Sequence, residues 1–188
     1  MRIIAGQAKR MTITAPKGQN TRPTSDMARE SLFNIIAPYV RDARVLDIFC
    51  GSGAVGIEAL SRGAATATFI DQSKFAIQAT RHNLAHTKLA PHATVIQSTI
   101  DKALPKLAGQ QFDIIFMDPP YDSPLIFATL QYVHSVNILA QSGIIIAETD
   151  VDMTPPLPPG FIVNRIKSYG RGSFLFIDYA QIDEGEGK

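Results

Sequence analysis

From Arg44 onward, short apolar runs alternate with longer stretches whose apolar residues recur at helical spacing. The runs predict strands near 45–49, 66–70, 93–97, 112–117 and 143–148, and the stretches between them predict helices near 54–62, 73–87, 99–107 and 124–137. Strict alternation of this kind is the pattern of a doubly wound parallel sheet. After the stiff proline-rich loop Thr154–Gly160 the rhythm changes. Phe161–Ser168 and Ser173–Tyr179 are strand-like and separated only by a turn near Gly170-Arg171-Gly172, which predicts an antiparallel hairpin. Upstream of Arg44, Ile3–Ala5 and Met11–Thr14 predict two short strands joined through Gly6–Arg10. A helix capped by Thr24, Ser25 or Asp26 should reach Ile36 or Ala37 and end at Pro38. The expected division is a basic β-hairpin extension over 1–22, an α/β domain over 23–180 and a disordered tail over 181–188.

Two places in this frame carry chemistry. Asp118-Pro119-Pro120-Tyr121 directly follows the strand-like run at 112–117, so it should stand at the carboxyl end of a buried parallel strand, where open α/β sheets bind ligands. Consecutive prolines hold such a turn stiff and extended. A carboxylate, free carbonyls and an aromatic face on a rigid turn suit a planar base gripped by its exocyclic amine. The second place is Cys50-Gly51-Ser52-Gly53-Ala54-Val55-Gly56, lying between the strand at 45–49 and a helix that Gly63 should end. Strand, glycine loop and helix let backbone approach a cofactor closely. Asp71 ends the next strand twenty positions after Gly51, where a carboxylate can take ribose hydroxyls. Taken alone, this loop fits either a nicotinamide dinucleotide or S-adenosylmethionine. A dehydrogenase needs a substrate domain for which little chain remains. A methyltransferase needs the glycine loop, the acidic strand end and a substrate-gripping turn after the fourth strand, and all three occur in that order.

Length and composition agree with one domain: 188 residues, 45% hydrophobic. No apolar run of about eighteen residues predicts a membrane span, and Met1–Gly6 is too short in apolar residues for a signal peptide. The single Cys excludes an intramolecular disulfide and fits a cytoplasmic protein. The net charge of +1 hides a division. Residues 1–44 carry eight basic side chains against three acidic ones, a balance of +5, so the remainder carries −4. A basic N-terminal segment on a mildly acidic body suits a polyanionic substrate.

Five β/α units closed by a hairpin is the layout of class I S-adenosylmethionine-dependent methyltransferases, a Rossmann-like fold. Beyond the fold, the chain resembles one family, the bacterial small-subunit ribosomal RNA guanine-N2 methyltransferases that act on guanine 966 of 16S rRNA. The resemblance runs from Arg2 to about Tyr179. Arg2–Gly6, Arg22-Pro23-Thr24, Arg29–Asn34, Asp47–Ala64 and the tetrapeptide at 118–121 carry it. It implies S-adenosylmethionine as cofactor, held by Gly51, Ser52 and Gly53 with Asp71 on its ribose, Asp47 bracing the loop, and Ser98 and Thr99 toward the adenine. It also implies Asp118, Pro119, Pro120 and Tyr121 as catalytic residues, with Asp118 and the Pro119 carbonyl accepting the two amine hydrogens of guanine while Tyr121 stacks on the base. Arg2, Lys9, Arg10, Arg22, Thr24 and Arg29 are the expected RNA contacts. The expected partner is 16S rRNA, as small subunit or assembly intermediate, bound by a monomer. The sequence departs from the family at Cys50, where Ala is commoner, at Asp71, where Glu is commoner, and at Gln97-Ser98-Thr99, where related enzymes often place an acid.

Other readings compete with this one. An adenine-N6 methyltransferase uses the same tetrapeptide, whereas protein-glutamine methyltransferases usually place Asn where Asp118 stands. A silent RNA-binding module of this fold and a nicotinamide oxidoreductase are the more distant alternatives. His82 and His86 share a helix face but lack the companions of a metal site, so no metal is expected. Cys50, beside the glycine loop, reads as a small packed thiol and not as a nucleophile. Glu148, at the end of the fifth strand, reads as structural.

Overall fold

The computed structural model describes residues 1–16, 25–120, 124–151 and 153–180. The strands are β1 (Arg44–Ile48), β2 (Thr66–Asp71), β3 (Ala93–Gln97), β4 (Phe112–Met117), β5 (Leu139–Asp150), β6 (Phe161–Tyr169) and β7 (Gly172–Tyr179). They form a single sheet in the order β3-β2-β1-β4-β5-β7-β6. The pairs β1–β2, β1–β4, β2–β3 and β4–β5 are parallel. β7 runs antiparallel to both β5 and β6. β1 and β4 lie near the middle and are covered on both faces, which is why their sequences are nearly continuous apolar runs. The chain winds outward from β1 through β2 to β3, then returns to place β4 on the other side of β1. A crevice opens at the carboxyl ends of β1 and β4, where the winding reverses.

Helices α1 (Asp26–Val40), α2 (Ala54–Ser61) and α3 (Lys74–His86) cover one face, contributing Leu32, Phe33, Ile57, Leu60 and Leu84 to its core. The short α4 (Ile100–Ala103), a 3-10 turn (Leu104–Leu107) and α5 (Leu125–Ser135) cover the other, contributing Leu104, Ile126, Leu130 and Val133. Among the described residues no helix is long and apolar enough to cross a membrane.

Four details differ from the sequence expectation. Pro38 does not end α1, which continues to Val40. A proline this close to the terminus forfeits only one intrahelical bond, and burial of Val40 holds the last turn. The stretch 99–107 is not one helix: Pro105 lacks an amide, and the chain tightens into the 3-10 turn after Ala103. β5 begins at Leu139, opposite Phe112, four residues before the expected 143. The two N-terminal strands reduce to a single bridge between Arg2 and Thr12. The Ile3 amide still bonds the Met11 carbonyl, and that of Ile13 the Met1 carbonyl. The amides of Ile4 and Ala5 are instead taken by the Glu58 carboxylate of α2, at 2.8 and 3.0 Å. Ile3, Ala8 and Ile13 are buried with the helices, so this segment is packed on the body. The expected tail at 181–188 lies outside the described residues.

Candidate active site

The glycine loop leaves the carboxyl end of β1 by way of Phe49, whose φ of 60° is unusual for a bulky residue. The loop closes when the Gly53 amide bonds the Cys50 carbonyl at 2.7 Å. Gly53, at φ 75°, is the N-cap of α2, and a side chain there would be strained. A side chain at Gly51 would meet open space, so the backbone at that point faces the crevice directly.

Three side chains fix the loop. Asp47, buried on β1, accepts the Gly56 amide at 2.9 Å through Oδ2. Asp71, ending β2, accepts the Gly51 amide at 3.0 Å through Oδ2 and the Ser73 amide at 2.8 Å through Oδ1. From α3, the Thr80 hydroxyl donates to the Gly51 carbonyl at 3.0 Å and Asn83 Nδ2 to the Ser52 carbonyl at 2.9 Å. Asn83 also holds the N-terminal segment, taking the Thr14 amide on Oδ1 and giving an N–H to the Thr14 carbonyl, both at 2.9 Å.

Asp118 stands one residue beyond β4, its amide bonded to the Ile48 carbonyl at 3.3 Å, which sets it beside the start of the glycine loop. Pro119 is buried and Pro120 exposed. A cleft of about 170 Å³ is lined by Asp47, Gly51, Ser52 and Asp71 on one wall and Asp118 and Pro120 on the other, with Met1 and Pro16 at its border. A second cavity of about 180 Å³ shares Phe49, Asp71 and Gln72 with the first and reaches Ser98, Thr99 and Leu125. The glycine loop and the proline turn thus open into one space, and Ser98 and Thr99 border the chamber next to it.

The cleft is acidic inside. Burial pushes Asp118 well above the usual carboxylate range, and the neighbouring Glu148 and Asp47 carboxylates push it in the same direction. Burial likewise raises Asp47 to about 8, against the Gly56 amide, which lowers it. Burial and then Asp47 hold the Cys50 thiol well above its ordinary value, so it stays protonated, 3.6 Å from the Thr80 hydroxyl. That is the packed thiol the sequence suggests. Glu148 accepts a hydrogen bond from the Tyr169 hydroxyl on the hairpin.

The remaining expected site residues divide. Tyr121, Arg22 and Thr24 lie outside the described residues. Lys9 and Arg10 are exposed, as is Arg2, whose Nε is 3.3 Å from Asp26. Arg29 is a correction: it is 0% exposed and cannot reach RNA in this structure. Its guanidinium donates to the Arg2 carbonyl at 2.6 Å and to Asp26 at 2.9 Å, with Met1 Sδ at 3.4 Å. Its role is to tie the N-terminal segment to α1. Sequence reasoning missed Glu58, Thr80 and Asn83. Only Glu58 had a local signal, as a lone carboxylate in the otherwise apolar Ala54–Leu60. His82 and His86 are exposed with parallel rings 6.4 Å apart. No group of side chains among the described residues could hold a metal ion.

Comparison with known proteins gives consistent matches. A family model described as "Conserved hypothetical protein 95" matches residues 1–178. A Bacillus subtilis protein named "Putative rRNA methyltransferase YlbH" is 39% identical over 173 residues, covering 90% of this chain and 94% of its own. "Ribosomal RNA small subunit methyltransferase D" of Escherichia coli is 37% identical over 187 residues, covering 99% and 92%. The solved structure described as "Putative methyltransferase yhhF from Escherichia coli" superposes with a TM-score of 0.82 at 37% identity, over 95% of this chain and 97% of that one.

Proposed function

The chain belongs to the family described as conserved hypothetical protein 95, and from that premise we propose that it transfers a methyl group from S-adenosylmethionine to the exocyclic N2 of a guanine in 16S ribosomal RNA. Guanine 966 is the target that the resemblance implies. The observation carrying this reading is the shared cleft, where the glycine loop after β1 faces the Asp118-Pro119-Pro120 turn after β4. The cleft's polar lining supports this cofactor over a dinucleotide. Its described lining includes the carboxyl groups of Asp47, Asp71 and Asp118 and no Lys or Arg. That gives acceptors to a ligand carrying sulfonium and ammonium charges and leaves a pyrophosphate without a cationic side chain to pair it.

The residues present fit such a ligand. Gly51 leaves room for it, and the two Asp71 oxygens, each already holding one backbone amide, keep lone pairs for ribose hydroxyls. Ser98 and Thr99 border the chamber that would take the adenine. When bound, S-adenosylmethionine supplies an electrophilic methyl group on a positively charged sulfur.

Guanine N2 is a poor nucleophile because its lone pair is delocalised into the ring. Asp118 Oδ and the Pro119 carbonyl accept its two hydrogens, favouring a pyramidal nitrogen with its lone pair directed into the cleft. Holding the reactants in this way can contribute about 7–11 kcal/mol toward the barrier. Asp118 accepts best when ionised, and a cationic ligand beside it favours that form against burial and the Glu148 and Asp47 charges. The amine becomes far more acidic once alkylated, so Asp118 need take its proton only late. Tyr121 covers the base, a contact worth roughly 1–3 kcal/mol in proteins that stack single-stranded bases. A monomer working in the cytoplasm on the small subunit or its assembly intermediate, without a metal, completes the proposal.

The test is incubation with labelled methyl donor and 16S rRNA or small subunits from an undermethylated strain, followed by nucleoside mass analysis. N2-methylguanosine is the expected product. N6-methyladenosine, or no labelled nucleoside, would overturn the assignment.

A further inference from the structure

The N-terminal basic segment has a partner that sequence order conceals. From Gln72 to Ile100 the chain contains Lys74, Arg81, Lys88 and three histidines but no Asp or Glu, and from Met1 to Pro16 it contains Arg2, Lys9 and Arg10 but again no acid. Asn83 of α3 clamps Thr14 through both its amide and its carbonyl, so these two acid-free segments are joined in space. Both also start from the cleft. Met1 and Pro16 line it from one segment and Gln72 and Ser73 from the other. α3 then runs from its Ser73 cap toward the opposite edge of the sheet, where β3 begins.

The exposed face of α3 carries Lys74 and Arg81 and no acid. Its buried residues are Ala76, Ile77, Ala79, Thr80, Asn83 and Leu84. Lys74, Phe75, Gln78, Arg81, His82 and His86 are exposed, clustered at helical spacing over about 18 Å of helix. Lys88, also exposed, follows just beyond the C-terminus of the helix. Near the N-terminus of α3, two residues beyond the Ser73 cap that lines the cleft, Phe75 is 56% exposed, large for a phenylalanine. An exposed ring flanked by cations is the combination by which proteins track single-stranded nucleic acid, with the ring under a base and the cations along phosphates.

We propose that the solvent face of α3 is a second RNA-docking surface, on which Phe75 stacks with a nucleotide at the cleft rim while Lys74, Arg81 and Lys88 follow the flanking phosphates. This surface lies outside the glycine loop and the proline turn. It rests on the rRNA reading above and adds where the RNA runs once its target base has entered the cleft. Acidic protein is the competing occupant, but an exposed aromatic two residues along the helix from the cleft-lining Ser73 favours RNA.

Two variants test it, Phe75→Ala and the triple Lys74→Ala/Arg81→Ala/Lys88→Ala. All four side chains are exposed, so neither variant removes a core contact. Binding of purified 16S rRNA is measured by fluorescence anisotropy across a salt series, alongside methyl transfer and calorimetric affinity for S-adenosylmethionine. The triple variant should raise KM for RNA about tenfold or more and flatten the slope of log affinity against log salt by about two units. Phe75→Ala should weaken RNA binding on the order of tenfold with the salt slope unchanged. In both variants, cofactor affinity and kcat at saturating RNA should stay within about twofold of wild type, a split that a general structural defect would not give. If wild-type protein methylates rRNA and both variants bind it within twofold and with the original salt slope, the α3 surface is refuted while the enzymatic reading stands. Wild-type protein that neither binds nor methylates rRNA defeats both. Loss of affinity for assembled subunits but not for naked rRNA would assign the face to a ribosomal protein and also overturn the proposal.

Discussion

Asp118 and Asp47 occupy different positions although burial raises both carboxyl groups, with Asp71 adding to the shift of Asp47 and Glu148 and Asp47 to that of Asp118. Asp118 faces the space where the amine would sit, whereas Asp47 spends Oδ2 on the Gly56 amide beneath the loop. Replacing Asp118 by Ala should therefore abolish methyl transfer, a loss of at least 100-fold on the order expected for a positioned proton acceptor, while calorimetry finds cofactor affinity nearly intact. Parallel loss of both would place Asp118 in the cofactor site instead. For Asp47 the consequence is a pH dependence. Its folded pKa of about 8 lies above the ordinary 3.8, so between those values the folded protein holds a proton that the unfolded chain has released. Stability therefore falls as pH rises through this window, by up to about 1.4 kcal/mol per pH unit from this one group. Asp118 is shifted in the same direction and adds to the slope. Asn at 47 can still accept the Gly56 amide without titrating. Melting curves should thus show Asp47→Asn gaining on wild type from about pH 5 to about pH 8. A constant difference across that range would mean Asp47 is ionised in the fold.

Elements, unlike single side chains, hold their places through a few close approaches. At Gly56 on α2, an added Cβ would stand 2.4 Å from the fully buried Phe69 ring on β2 and 3.1 Å from Asp47 Oδ2. Gly56→Ala should cost about 1–3 kcal/mol of stability, read as a lower urea midpoint at unchanged slope. Glu58, two residues further along α2, is fully buried and accepts from Ile4, Ala5 and, at 2.7 Å, Arg62 Nε. Glu58→Ala should cost about 3–5 kcal/mol, as when one partner of a buried ion pair is removed, and should release the N-terminal segment to early proteolysis. These elements also divide what the chain revealed from what it hid. β1, β4 and the closing hairpin were legible because burial on two faces, or a turn between strand-like runs, writes itself into neighbouring residues. So were Asp47, Gly51, Asp71 and Asp118, which occupy strand ends and turns that local pattern locates. The N-terminal strands were over-read, because their amides are claimed by a carboxylate more than fifty residues away. Arg29 was misassigned for a similar reason: an arginine in a basic segment looks exposed until folding closes Met1, Arg2 and Asp26 around it. Long-range pairing of this kind leaves no trace in spacing.

Across the whole molecule, the acids of the cleft face inward while two acid-free segments, 1–16 and 72–100, flank it. A positively charged small ligand and a polyanion can then be drawn to adjoining places on one surface without competing for the same charges. The side chain that joins these regions is Asn83, which holds Ser52 of the glycine loop and both polar backbone groups of Thr14. The cofactor loop and the N-terminal segment are thereby set by one amide, so ordering either should favour order in the other. Removing it in Asn83→Ala would leave the buried Ser52 carbonyl and the Thr14 amide to find new partners, at about 1–3 kcal/mol for each that stays unpaired. Two effects should appear together. Affinity for S-adenosylmethionine should drop about tenfold, in keeping with the loss of roughly one such bond at the loop, and the Thr14 amide should exchange its hydrogen faster than in wild type. Adding cofactor to wild-type protein should slow exchange at Thr14, whereas in Asn83→Ala the same addition should leave it unchanged. If cofactor protects Thr14 equally in both proteins, the two regions communicate by another route and Asn83 is only a local tether.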